Sequence, residues 1–330
     1  MKVGLLCTLQ VPQRWPQPWP RLYADLLEQA EAAEELGYDA LWLGEHHFLA
    51  DGHCPAPLVV AGAVAARTTR LRVGTCVVLL PLYHPVRLAE DAAALDVIAD
   101  GRLVLGLGQG YQQAEFAGFG IALAERFARA RETLALVRRL WTEERVSFQG
   151  GYWRLDDVAL NPRPVQQPHP PIWFAAVRPR AVARIAQTSG VLIRPPADPL
   201  PRLSATERLY REALGERPSP TRPLVREVYV AEDDEQARRD VAAHVLYIYR
   251  EQYTRWGALG EWTADGRYRR VYDPQDPALA WDRLRRDRFV VGDPLTCARE
   301  LGRYCDALGT DYLIARMHFP GLAHDKVLRS

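Results

Sequence analysis

Apolar residues in the first part of the chain follow two periods that alternate with each other. Short continuous apolar runs predict strands at residues 3–8, 40–44, 71–80 and 102–107. Between these runs, apolar residues recur every three or four positions and predict helices at 22–36, 58–67, 85–98 and 125–141. Four successive strand–helix units predict a parallel sheet, because parallel neighbours need long crossover connections.

The second half of the chain continues this alternation less regularly. A hairpin is predicted at 146–154 and a proline-rich extended segment at 161–171. Residues 111–120 are predicted to be a loop, and residues 257–289 an insertion lying over the functional site. Further strands are predicted at 172–176, 191–194, 224–231 and 311–316, and helices at 180–187, 203–214, 234–256 and 294–308. Eight strands in all predict one α/β domain over residues 1–330, a (β/α)8 TIM barrel with insertions.

Composition excludes several classes of function. The net charge is +1 with both signs interspersed, so nothing suggests nucleic acid as a partner. No apolar run is long enough to span a bilayer, and the first residues lead directly into a strand, so we expect a soluble cytoplasmic protein. The five cysteines are scattered without a Cys-x-x-Cys pair, which argues against disulfides and structural zinc.

The end of the second predicted strand carries the most informative group of residues. The apolar run Ala40–Leu43 is followed at once by Gly44 and then by Glu45, His46 and His47. Ionisable groups are costly where a buried strand ends unless they are partnered or used, and barrel active sites collect at this end of the strands. Proton transfer by an imidazole is one interpretation, and a pair of hydrogen-bonded structural histidines is the other.

A metal site is a third interpretation of the same stretch, with His53 as a further ligand. Adjacent histidines on a strand do not share one face, whereas zinc-binding histidines on a helix are spaced to do so, and this disfavours a metal.

The glycine-rich segment Gly106–Gly110 follows the fourth predicted strand. A dinucleotide-binding fingerprint needs its third glycine three residues after the second, and it then needs a helix. Here Gly110 comes one residue too early for that fingerprint. We therefore prefer a loop that lies close to a cofactor other than NAD.

With these elements placed, the sequence resembles the bacterial luciferase-like flavin monooxygenases over nearly its whole length. The resemblance rests on segments in a common order: 37–48, 71–75, 84–91, 95–102, 162–166, 170–173, 291–294 and 317–321. It implies a barrel, usually dimeric, that binds reduced FMN at the carboxyl ends of its strands. It also implies that a separate reductase supplies the reduced FMN, and that dioxygen adds to it as a hydroperoxide that oxygenates a small organic substrate.

The resemblance implies roles for individual residues. His46 is the expected catalytic acid or base, Glu45 is expected to orient His47, and a cis peptide is expected at Cys76–Val77 where the flavin ring rests. His84 is expected either to line the flavin cleft or to cap the helix that it precedes. The other residues expected at the cofactor are Gly108, Gln109, Tyr111, Arg126, Arg178 and Arg180.

The phosphate end of the expected site departs from the family pattern. Gln109 stands where the family often has an arginine, and Arg178-Pro179-Arg180 replaces a hydroxyl-bearing loop. Two alternatives to an FMN monooxygenase therefore stay open. One is a deazaflavin-dependent oxidoreductase on the same barrel, and the other is a non-catalytic flavin-binding relative. Several aromatic residues are candidates for a substrate wall: Trp15, Trp19, Tyr111, Phe116, Trp173 and Tyr249.

Overall fold

The computed structural model of the chain describes residues 1–256, 259, 261–262, 268–269 and 273–330. These residues fall into two compact units. The first-half unit consists of residues 8–10 and 22–175, and the second-half unit of residues 1–7, 11–21 and 176–330. The prediction of a single domain over residues 1–330 stays a prediction.

Strands and helices alternate along the described chain. The strands are β1 (Lys2–Cys7), β2 (Ala40–Leu43), β3 (Arg72–Thr75), β4 (Val78–Leu79), β5 (Leu103–Gly108), β6 (Val146–Gln149), β7 (Arg154–Val158), β8 (Ile172–Ala175), β9 (Val191–Ile193), β10 (Pro223–Val230), β11 (Glu261–Trp262), β12 (Tyr268–Arg269), β13 (Phe289–Gly292) and β14 (Tyr312–Arg316). The helices are α1 (Trp19–Glu35), α2 (Pro57–Arg67), α3 (Pro85–Ile98), α4 (Gln113–Gly118), α5 (Arg126–Thr142), α6 (Pro179–Gln187), α7 (Leu200–Leu214), α8 (Asp234–Tyr247), α9 (Thr254–Trp256), α10 (Trp281–Arg288), α11 (Pro294–Leu308) and α12 (His324–Arg329).

The first-half unit contains a parallel sheet in the order β2-β3-β5-β8, with β4 also paired to β5. Its strands are almost wholly buried, as expected for a parallel sheet. Leu43 at the end of β2 pairs with Thr75 at the end of β3. The Thr75 hydroxyl donates to the Gly106 carbonyl at 2.7 Å and accepts from the Gly106 amide at 2.9 Å. The carboxyl ends of these strands therefore meet at one edge, where the loops that follow them converge.

The second-half unit has a parallel sheet of its own. β14 pairs with β1 on one side and β10 on the other, and β10 also pairs with β13. β9 joins through a parallel bridge between Arg194 and Leu224. A core of aromatic and aliphatic residues from α8, the π-helical turn Ile248–Tyr253, α10, β10 and β13 packs on this sheet, including Tyr249, Trp281 and Phe289.

The structure confirms the α/β class and most predicted elements. All eight predicted strands are present, and the hairpin forms as β6 and β7. The predicted helix at 234–256 is interrupted by a π-helical turn, Ile248–Tyr253. No helix in the described ranges combines the length and the apolar character that crossing a membrane requires.

Two predictions about local structure are wrong. The run 71–80 is two strands, because the chain breaks at a cis peptide between Cys76 and Val77. Residues 111–120 contain the short helix α4, which has too few turns to show a helical period. The last residues of the region predicted as an insertion form α10, and its final residue, Phe289, begins the buried strand β13, which the sequence did not predict. Parts of residues 257–289 lie outside the described residues, and the placement of that segment over the site stays a prediction.

Glu34, in the last turn of α1, holds the loop that leads into β3. Its Oε1 accepts three backbone N–H bonds, from Thr69 at 2.8 Å, Arg70 at 2.6 Å and Leu71 at 2.8 Å. Partial burial opposes ionisation, but these bonds and the charge of Arg70 outweigh it and lower the pKa of Glu34 to about 2. The ionised carboxylate therefore stabilises the start of β3.

We predict that Glu34→Gln lowers the free energy of unfolding at neutral pH by about 1 kcal/mol, a value reduced by solvent screening of this half-buried group. Because the folded pKa lies below the unfolded value, the contribution is present above about pH 4.5 and is lost as the pH falls towards about 2. Urea unfolding across this range should show the variant and the wild type converging. Glu35→Gln at the exposed neighbouring position is the matched control, and a difference that persists at the lowest pH would contradict the assignment.

Candidate active site

Glu45 is a buried anchor at the carboxyl end of β2. Its side chain is fully buried, and its Oε2 accepts the Leu79 backbone N–H at 2.7 Å. Its Oε1 accepts from the Tyr83 hydroxyl at 3.0 Å and lies 2.8 Å from His47 Nε2. Burial and the neighbouring Glu45 carboxylate raise the pKa of the Tyr83 phenol, so Tyr83 stays a hydrogen-bond donor. Glu45 thus orients His47, in agreement with the expectation from the sequence.

His46 points to a different carboxylate, that of Glu115. Its Nδ1 lies 2.8 Å from Glu115 Oε1, and the same oxygen accepts the His47 backbone N–H at 3.0 Å. The Glu115 side chain is fully buried, whereas that of His46 is 12% exposed. A carboxylate beside Nδ1 places the imidazole proton on that nitrogen, which leaves Nε2 as the basic atom of the neutral ring.

Gln112 also lies at the His46 ring, with its amide nitrogen 2.9 Å from Nδ1. A nitrogen that donates to Glu115 cannot also accept from Gln112. A flip of the Gln112 amide presents its oxygen to the same proton instead.

The short helix α4 puts Glu115 in this position. Gly110 has φ +65°, and a Cβ there would lie 2.8 Å from Phe116 Cε2. The chain can therefore turn sharply after β5 and bring Phe116 into a buried cluster with Leu79 and Leu82. With Phe116 anchored in that cluster, the preceding residue is directed at the histidines.

The other predicted cofactor residues of the first-half unit lie along the same sheet edge. Cys76 and Val77 are half-buried at the end of β3, and the predicted cis peptide between them is confirmed. Gly108 is the last residue of β5, and a Cβ on it would contact the Val77 side chain. Gln109 is half-buried, and the exposed Tyr111 ring lies 5.9 Å from that of His46.

His84 and Arg126 occupy helix starts in the first-half unit. His84 caps α3, with Nδ1 accepting the Val86 N–H at 3.3 Å, so the capping interpretation is confirmed. Arg126 opens α5, donates to the Leu123 carbonyl at 2.7 Å and lies over the Phe127 ring.

Arg178 and Arg180 belong to the second-half unit, where Arg178 precedes the first turn of α6 and Arg180 is exposed within it. Of the aromatic candidates for a substrate wall, Phe116, Trp173 and Tyr249 are buried core residues, whereas Trp19 and Tyr111 are exposed.

Sequence reasoning missed Glu115, Gln112 and Tyr83. Glu115 could have been suspected because it is an acidic residue shortly after the glycine-rich strand end. The segment shows no helical spacing of apolar residues, however, so the sequence did not indicate where its side chain points. The metal interpretation loses support, because His46 and His47 face two different carboxylates.

Comparison with known proteins shows the family of the chain. The luciferase-like monooxygenase family matches residues 1–311. The F420-dependent glucose-6-phosphate dehydrogenase of Kineococcus radiotolerans is 32% identical over 323 residues, covering 92% of this chain and 89% of that protein. The oxygenase component of the flavin-dependent trigonelline monooxygenase of Acinetobacter baylyi is 29% identical over 246 residues, covering 73% and 68%.

Among solved structures, the monooxygenase RslO1 from Streptomyces bottropensis has a TM-score of 0.83 and 27% identity, and the match covers 100% of this chain and 96% of that one. This likeness confirms the predicted (β/α)8 class. Two proteins of Sinorhizobium fredii match at 43% and 38% identity, and the chain spans about half the length of these curated relatives. The chain therefore belongs to the luciferase-like monooxygenase family of oxidoreductases.

Proposed function

We propose that this protein is a flavin-dependent monooxygenase that uses reduced FMN and dioxygen to oxygenate a small organic substrate. The observation that carries the proposal is the His46–Glu115 pair at the carboxyl edge of a parallel sheet, in the same unit as Cys76–Val77 and Gln109. The names of the relatives from Acinetobacter baylyi and Streptomyces bottropensis support monooxygenation.

The residues at this edge fit the ring of a flavin. A flavin ring needs a flat, largely apolar surface and polar groups along one edge. Cys76 and Val77 offer a half-buried backbone and small side chains, while the Gln109 amide and the His46 imidazole offer hydrogen bonds. When bound, a reduced flavin supplies the electrons that activate dioxygen.

The protein's own contribution is to hold a proton acceptor at a defined atom. Glu115 keeps the His46 proton on Nδ1, so Nε2 is the atom that takes a proton from the substrate or returns one to it. Glu45 keeps His47 and Tyr83 in place through hydrogen bonds at both of its oxygens. This second set has the supporting role, because both oxygens of Glu45 already accept hydrogen bonds from the protein.

The phosphate of FMN requires cationic or N–H partners. Arg126, Arg178 and Arg180 are the proposed partners, with Gln109 taking the place of the family's usual arginine.

The remaining proposals concern the whole protein: a separate flavin reductase delivers the reduced FMN, the chain is a homodimer, and it works in the cytoplasm.

A second candidate is a hydride-transferring oxidoreductase that uses the deazaflavin F420. It is favoured by the Kineococcus radiotolerans relative, which matches nearly the full length of both chains. The His46–Glu115 pair serves this chemistry equally well, because hydride transfer from an alcohol also needs a base. A non-catalytic flavin-binding protein is the third possibility, and it predicts that replacement of His46 changes no turnover.

Anaerobic titration of the purified protein with reduced FMN and with reduced F420 separates these functions. We expect saturable binding of reduced FMN, seen as a change in flavin absorbance and fluorescence, followed by dioxygen uptake on mixing with aerated buffer. Binding of F420 alone, with no dioxygen uptake, would replace the monooxygenase proposal with the second candidate. Binding of neither cofactor would remove both.

We predict that Glu115→Gln lowers turnover by about 10- to 100-fold, because a neutral amide no longer fixes the proton on His46 Nδ1. His46→Gln should lower it by about 100-fold or more, since the acceptor atom is lost. The measurement is product formation, by mass spectrometry, from a panel of aldehydes, ketones and amines. Glu90→Gln, at an exposed position on α3, is the control and should match the wild type. Wild-type turnover in Glu115→Gln would contradict the assigned tautomer.

A further inference from the structure

His53 lies beside the proposed catalytic base, although the sequence suggested it only as a metal ligand. It belongs to the loop between β2 and α2 and is 4% exposed. Its ring lies 4.7 Å from that of His46, centroid to centroid, at an interplanar angle of 86°. This is the edge-to-face arrangement that aromatic rings prefer, and it restricts rotation of both rings.

The backbone around His53 is held in an unusual conformation. His53 has φ +104° and Cys54 has φ +42°, values that residues other than glycine rarely adopt. The His53 carbonyl accepts the His46 N–H at 3.1 Å, and the His53 N–H donates to the Leu9 carbonyl at 3.1 Å. Left-handed residues other than glycine persist only when their surroundings enforce them, and they cluster at functional sites.

The space for the His53 ring depends on Gly44 in the motif at the end of β2. A Cβ on Gly44 would lie 3.1 Å from His53 Nε2, closer than ordinary packing allows. Gly44 does not have a positive φ, so its backbone also suits alanine. A larger residue at position 44 would therefore displace the His53 ring, whereas the backbone of the turn itself does not call for glycine.

We propose that His53 is a positioning residue for His46, acting through the edge-to-face contact of the two rings and through its carbonyl. It holds the His46 ring in the orientation that directs Nδ1 at Glu115. Its importance for turnover rests on the proposed function, whereas its effect on the His46 ring does not. The proposal assigns the effect to the edge-to-face ring contact, so a phenyl ring in the same place should preserve it.

The test is nitrogen-15 NMR of histidine-labelled, cofactor-free protein at about pH 8, where an ordinary imidazole is neutral. The wild type should show His46 as one species protonated at Nδ1. His53→Leu should split that signal into two or more species and lower kcat about tenfold, with KM little changed. His53→Phe should retain the single species, and Gly44→Ala should reproduce the splitting because it displaces the ring without removing it.

His53→Gly separates positioning from folding. Glycine suits the positive φ, which offsets part of the stability lost with the buried ring, and the His46 signal should still split as it does in His53→Leu. An unsplit His46 signal in both His53→Leu and His53→Gly would overturn the proposal. So would equal damage in His53→Phe and His53→Leu, because the ring nitrogens and not the packing would then be responsible. The His53 variants could show split His46 signals while turnover stays unchanged in all of them and in His46→Gln. That result would retain the positioning role and reject the proposed function.

Discussion

Burial of two carboxylates at one sheet edge is the constraint on which the rest of the site depends. An ionised carboxylate removed from water costs several kcal/mol unless hydrogen bonds replace its hydration. Glu45 meets this need with three donors, from the Leu79 backbone, the Tyr83 hydroxyl and the His47 ring. Glu115 meets it with His46 and the His47 backbone. Each histidine is therefore fixed by a carboxylate that would otherwise be too costly to bury.

The two carboxylates are not equivalent in their hydrogen bonding. Both oxygens of Glu45 accept hydrogen bonds. Glu115 Oε2 has no hydrogen-bond partner among the described residues. The two histidine side chains are nearly equally exposed, at 12% for His46 and 10% for His47, so their carboxylate partners and not their burial distinguish them. The proposed function assigns proton exchange to the His46–Glu115 pair.

The ring end of this site is common to two kinds of chemistry, which explains why relatives with different cofactors resemble the same chain. A base with a fixed tautomer serves oxygen insertion and hydride transfer alike. Discrimination between FMN and a deazaflavin belongs instead to the groups that hold the phosphate-bearing tail. The proposed function assigns this role to Gln109 and the arginines, and Gln109 and the Arg178–Arg180 loop are also where this sequence differs from the family pattern.

Periodic apolar runs were sufficient to predict most of the strands and helices and the α/β class, because buried strands and amphipathic helices each leave a repeated signal in the sequence. The motif at Glu45, His46 and His47 was likewise visible, since charge at the end of an apolar strand is conspicuous. The partners of these residues were not predictable from pattern. Glu115 follows His46 by 69 positions, and α4 is too short for its period to be recognised. Folding alone decided that Gly110 turns the chain, that Phe116 is buried, and that Glu115 on α4 and His53 in the loop after β2 both reach His46. The local sequence determines which face of a segment is buried. The hydrogen bonds of a site, however, join segments that are far apart along the chain, and these segments come together only when the strands align in the sheet.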